Sequence, residues 1–172
     1  MIYIAHYKSP IGEILLASKN NKLIGLWIKG QKYYLSNLQG ELKEKETEIL
    51  VKTKNWLDRY FKGEKPSINE LDLSPLGSDF RKRVWKILCG IPYGKVVTYK
   101  DIANMVTKEK MSCQAIGNAV SHNPISIIIP CHRVVGSNGS LTGYAGGIAK
   151  KVYLLKHENV NMEKLFIPKK GK

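Results

Sequence analysis

A cysteine, a histidine and an arginine stand side by side at Cys131-His132-Arg133, directly after the run Ile125-Ser126-Ile127-Ile128-Ile129-Pro130. Thiolate is the best side-chain nucleophile near neutral pH, and a neighbouring imidazole and guanidinium are surroundings that ionise a thiol. The Ile-rich run reads as a buried strand whose ladder Pro130 stops. Cys131 then falls at a strand terminus, where a side chain can face a cleft. The same residues also fit a buried thiol at a strand end beside a surface histidine, and the pattern alone leaves both readings open. Cys89 and Cys113 read as small buried hydrophobes. Three cysteines with no close pairing argue against a disulfide framework, and no Cys-x-x-Cys or paired-histidine spacing suggests a metal site.

The elements that must position this segment follow from hydrophobic period and breakers. Residues 2–7 and 13–18 read as strands around Pro10 and Gly12. Lys19-Asn20-Asn21-Lys22 separates Ile14–Ala17 from Leu23–Ile28 and reads as a hairpin turn. From about Glu44 to Phe61, apolar positions recur at helical spacing and Gly63 can stop the helix. Breakers at Ser74-Pro75-Leu76-Gly77 place a boundary between an N-terminal β-rich αβ domain, 1–76, and a C-terminal domain, 77–172. The second domain opens on a helix capped by Ser78, with Phe80, Val84, Trp85, Ile87 and Leu88 facing inward. Thr98-Tyr99-Lys100-Asp101 matches a capping box for a helix through Val106. After a polar linker, Thr107–Met111, a further helix opens at Ser112 and runs to about His122. Two short helices joined this way fit a helix-turn-helix, as do many helix pairs in cores.

Charge separates the two halves. The chain of 172 residues carries a formal charge of +14, of which residues 1–78 hold +3 and residues 79–172 hold +11. A basic excess confined to one half points to a polyanion there, with plain solubility as the other reading. No apolar run is long enough to span a membrane, and the N-terminus lacks the pattern of a signal peptide, so a cytoplasmic protein is expected.

Taken together, Ile129-Pro130-Cys131-His132-Arg133-Val134-Val135 resembles the active-site signature of the methylated-DNA–protein-cysteine methyltransferases, or O6-alkylguanine-DNA alkyltransferases. Tyr99, Gly117, Asn123-Pro124, Gly143-Tyr144 and Gly146-Gly147 fall at that family's spacing. The likeness is strong from about Phe80 to Glu158 and weaker before it. It implies an α+β chain, with an α/β-type ribonuclease H-like first domain and a mostly helical second domain carrying a helix-turn-helix. It also implies DNA repair: irreversible, single-turnover transfer of an alkyl group from O6-alkylguanine in double-stranded DNA to Cys131, leaving O4-alkylthymine open as a second substrate.

The resemblance further assigns roles. His132 would draw off the thiol proton through an ordered water, and Glu158 would orient and charge-balance His132. Tyr99 would donate to guanine N3, and Asn123 would hold the turns around the site. Val120, Val134, Tyr144, Ala145 and Gly146 would wall the base pocket. Ser112, Cys113, Ala115, Gly117, Asn118 and Ser121 would approach the minor groove on the second helix of the pair. Gln114 stands where relatives commonly carry an arginine that fills the vacated base position. Arg133, with Arg81, Lys82, Lys95 and Lys100, would contact phosphates. The chemistry implies no cofactor or metal, and the partner is DNA bound by a monomer.

Overall fold

Apolar runs separated by turn residues build the first sheet. β1 (Ile2–Ser9), β2 (Gly12–Lys19), β3 (Lys22–Ile28) and the short β4 (Leu42–Glu44) lie in the order β3-β2-β1-β4, with β4 parallel to β1 and the other pairs antiparallel. Asn20 and Asn21 take φ of 53° and 56° between the paired residues Lys19 and Lys22. A two-residue turn that matches the strand twist needs two left-handed residues, which asparagine tolerates. α1 (Glu48–Phe61) packs on β1, β2 and β3 through Ile49, Leu50, Thr53, Trp56, Leu57 and Tyr60. Each large apolar side chain buried there contributes about 1.5–3 kcal/mol. The helix was expected from about Glu44; that residue belongs to β4, and α1 begins after Thr47.

The computed structural model describes residues 1–35, 38–107 and 112–168. It divides into two units, one of Met1–Gly77 with Pro124–Ile128, the other of Ser78–Asn123 with the chain from Ile129 onward. In the second unit, α2 (Asp79–Leu88), α3 (Tyr99–Val106) and α4 (Cys113–Ser121) pack on one another. Each starts on its expected cap. Ser78 Oγ accepts from Arg81 N–H at 3.2 Å, and Thr98 and Asp101 form a reciprocal box at 3.0 and 2.9 Å. Ser112 Oγ accepts from the N–H groups of Gln114 and Ala115 at 3.1 and 3.4 Å. Of the expected linker, Lys108–Met111 lies outside the described residues. Trp85 Nε1 donates to the Ala119 carbonyl at 2.8 Å and so ties α2 to α4.

The expected strand over Ile125–Ile129 is instead a series of buried turns. Ile125 makes a single bridge to Leu26, Ile127 takes a φ of 72°, and Ile128 N–H bonds back to the Ser126 carbonyl at 2.8 Å. Pro124 has no N–H to offer a ladder, and these local bonds use groups a strand would pair. Pro124–Ile128 belongs to the first unit, where Leu26 N–H donates to the Pro124 carbonyl at 2.8 Å and Ser126 Oγ to Gln31 Oε1 at 3.3 Å. Cys131 therefore does not end a strand. It opens a one-turn 3₁₀ helix, Cys131–Arg133, with its N–H bonded to the Ile129 carbonyl at 2.8 Å.

Beyond that turn, β6 (Val134–Val135) pairs in parallel with β5 (Val97–Thr98), and α5 (Ile148–His157) follows. The chain after α5 returns to bridge Ser140 with Phe166, and Val160, Met162 and Leu165 pack with Val135, Leu141 and Leu155.

Candidate active site

The 3₁₀ turn presents three consecutive side chains to the interior of the second unit. Cys131 is buried, His132 is fully buried, and Glu158, the C-cap of α5, is 2% exposed. His132 Nε2 lies 2.7 Å from Glu158 Oε2. Glu158 is ionised: burial would raise its pKa, but hydrogen bonds and charges from His132 and Arg133 hold it well below the usual carboxylate range. An ionised carboxylate only accepts, so His132 carries its proton on Nε2. Nδ1 is then the basic nitrogen, buried and without a hydrogen bond among the described residues.

Burial pushes the Cys131 thiol up, while a hydrogen bond from Asn123 and the charge of Lys151 pull it down. Asn123 also donates Nδ2 to the Ile129 carbonyl at 2.8 Å, which fixes the turn just before the cysteine. Tyr99 opens α3 and gives its hydroxyl proton to the Thr142 carbonyl at 2.9 Å. Burial, with the Cys131 charge second, pushes the phenol up to about 12, so it stays a proton donor at neutral pH. Gly143 lies beneath it: a Cβ there would sit 2.6 Å from the Tyr99 hydroxyl, and its φ of 79° suits only glycine well.

The expected wall residues divide by burial. Val120, Val134, Tyr144 and Ala145 are buried and Gly146 is half-buried. The Tyr144 ring meets His132 edge-on, with centroids 6.4 Å apart. Val134 fills the core with its side chain. On α4, Ser112, Cys113, Gln114, Ala115 and Asn118 are exposed, while Gly117 and Ser121 are half-buried. Ser112, Gln114, Ala115 and Asn118 line, with Phe80, an open cleft of about 420 Å³. Arg81 Nη2 donates to Asn118 Oδ1 at 3.3 Å. Lys82, Lys95 and Lys100 are exposed.

Arg133 departs from its expected place. It is 9% exposed and fully engaged inside: Nε and Nη2 donate to Glu158 at 2.7 and 3.1 Å, and Nη1 donates to the Ile91 carbonyl at 2.7 Å. A guanidinium so used cannot reach a phosphate, because leaving Glu158 would strand a buried carboxylate. Lys151 was missed from the sequence altogether. It is fully buried, and Nζ donates to the carbonyls of Val134 and Thr142 at 2.6 and 2.8 Å. Burial pushes its pKa down to about 8, against the Cys131 charge, which raises it.

Residues 79–160 match the 6-O-methylguanine DNA methyltransferase DNA-binding domain, and residues 2–75 match the ribonuclease-like domain of the same enzymes. The chain belongs to the O6-methylguanine DNA methyltransferase family. It is 44% identical to the methylated-DNA–protein-cysteine methyltransferase of Methanosarcina barkeri over 162 residues, 94% of this chain and 99% of that one. The Haemophilus influenzae enzyme of that name is 35% identical, over 92% of this chain and 87% of its own. Among solved structures, Mycobacterium tuberculosis OGT in complex with DNA superposes with a TM-score of 0.81 at 36% identity, covering 91% of this chain and 92% of its own. The methyltransferase family membership thus extends across both units, including the first, where the sequence resemblance was weak.

Proposed function

We propose that this methyltransferase repairs duplex DNA by moving the alkyl group of O6-alkylguanine onto Cys131, once per molecule. Sγ attacks the alkyl carbon; the S–C bond forms as the C–O6 bond breaks, and the electron pair stays with the guanine. The thiol proton passes to His132 Nδ1 by way of a water. The guanine gains a proton through the Tyr99 hydroxyl, turned from Thr142 to N3. One proton leaves sulfur and one reaches the base, so no co-reactant is consumed. A thioether resists hydrolysis, so the protein acts as a stoichiometric reagent.

What carries this reading is the buried His132–Glu158 contact of 2.7 Å with Nδ1 left open, one residue beyond a buried thiol. That is a base already oriented by a carboxylate, the arrangement a cysteine nucleophile needs. Since O6 is inside the stacked duplex, the nucleotide must rotate out, at a cost of a few kcal/mol. On α4 the exposed Ala115 and the half-buried Gly117 support that step as small residues that permit close backbone approach, and the exposed Gln114 fills the vacated position.

The test is intact-protein and peptide mass analysis after incubation with a duplex holding O6-methylguanine. The Cys131 peptide should gain one methyl in place of one hydrogen, Cys131→Ala should gain nothing, and repaired lesions should never exceed protein. An unmodified Cys131 at saturating protein would end this reading.

A further inference from the structure

Glu158 accepts more than a catalytic dyad requires. Besides His132 Nε2 at 2.7 Å, its two oxygens take Arg133 Nε at 2.7 Å, Arg133 Nη2 at 3.1 Å and the Gly94 N–H at 3.4 Å. The guanidinium is pinned from two further sides, by the Ile91 carbonyl at 2.7 Å and by the Tyr93 ring, 5.7 Å from its centre. Only a planar fork with a spare donor meets the carboxylate and a carbonyl together, so lysine cannot reproduce this geometry.

We propose that Arg133 is a positioning residue that keeps His132 uncharged in the resting protein, so that the ring takes a proton only as Cys131 gives one up. The proposal rests on His132 serving as the base in the reading above. With the ring neutral, Arg133 and Glu158 cancel. Protonating His132 alone would leave a net positive cluster in a fully buried place, with the Lys151 ammonium a further cation in the same unit. Protonating it while Cys131 becomes a thiolate restores the resting charge. The other neighbours, Tyr144 at the ring edge, Tyr93 beneath the guanidinium and Tyr99 bonded to Thr142, carry no charge at neutral pH and do not alter the balance. A carboxylate serving His132 alone would instead stabilise the imidazolium, and a ring already charged cannot accept a proton. Arg133 makes the proton on His132 conditional on the charge at sulfur.

The experiment follows the His132 ring of the full chain by ¹⁵N NMR through a pH titration without DNA, assigned by the signal lost in His132→Gln. In Arg133→Gln the protonation midpoint should rise by about one pH unit or more, at least about tenfold tighter proton binding. The acid limb of the alkyl-transfer rate should move to higher pH with it. Arg133→Lys, which keeps the charge but not the fork, should leave the midpoint near wild type. An unmoved midpoint in folded Arg133→Gln, or equal shifts in both variants, would overturn the proposal. Should Arg133→Gln not fold, Glu158→Gln gives the converse: with Arg133 unmatched, the His132 midpoint should fall below its wild-type position. A ring that protonates normally there defeats the idea. The titration involves no alkyl transfer. A shifted midpoint in a protein that never modifies Cys131 would therefore count against the repair reading alone, and normal repair with an unmoved midpoint against this one alone.

Discussion

Lys151 supports a prediction whose size can be worked out. Its amine is buried with two carbonyl partners and a pKa near 8, against an ordinary value of 10.5. A lysine whose folded pKa is lowered costs stability while charged. Below about pH 8 the full cost applies, and above the unfolded value it vanishes, because the unfolded chain binds the extra proton in between. At about 1.4 kcal/mol per pH unit, the gap corresponds to about 3 kcal/mol. The protein should therefore gain about 3 kcal/mol from this group between pH 8 and 10.5. Lys151→Met removes that gain. It also removes a donor from the Val134 carbonyl, at about 1–3 kcal/mol, and one of two donors from the Thr142 carbonyl, which keeps the Tyr99 hydroxyl. Relief of the buried charge and loss of the two bonds oppose each other, so stability at pH 7 should change by less than about 3 kcal/mol. The signature is the slope. Urea midpoints measured every half pH unit should show the wild type rising relative to Lys151→Met across that window. A Cys131→Ala background removes the thiolate that raises the lysine, and there the window should open at lower pH. Parallel wild-type and variant curves would refute a charge-burial cost at Lys151.

Gln114→Ala should slow repair of O6-methylguanine in duplex DNA while sparing reaction with the free alkylated base; equal losses on both substrates would remove Gln114 from base displacement. Gly139→Ala should destabilise the second unit by about 2 kcal/mol or more, since φ there is 92° and a Cβ would collide with the Lys164 carbonyl. Hydrogen exchange should quicken first at Leu141 and Phe166, whose N–H groups hold the returning chain to that loop, and unchanged protection at both would contradict the collision.

Local signals were legible where one short-range rule decides. Ser78, Thr98 and Ser112 cap the helices they precede, and Asn20-Asn21 makes its turn, because each satisfies backbone groups within a few residues of itself. The Ile-rich run failed for the converse reason. Continuous apolar character reports burial, and Ile125–Ile129 is buried, but it does not report whether the backbone pairs across a sheet or within turns. The β5–β6 pair was not anticipated either, because two residues a side give no period to detect.

In the candidate site, the family resemblance singles out Cys131, His132, Glu158 and Tyr99, and the fold sets His132 on Glu158, but charge in a sequence reads as surface, which misplaces Arg133 and hides Lys151. The corrective signal was available for the lysine. Lys151, Leu154, Leu155 and Glu158 recur at the spacing of one helical stripe, whereas Lys150 and Lys156 fall off it. A cation and an anion on an apolar stripe must either be satisfied inside or break the helix's packing. Both are satisfied: Lys151 by two carbonyls that fix β6 and the Thr142 loop, Glu158 by the two residues that follow the cysteine. One helix face therefore sets both the geometry of the turn bearing Cys131 and the electrostatics that govern its proton. Single substitutions on α5 far from sulfur in sequence should for that reason act on its reactivity.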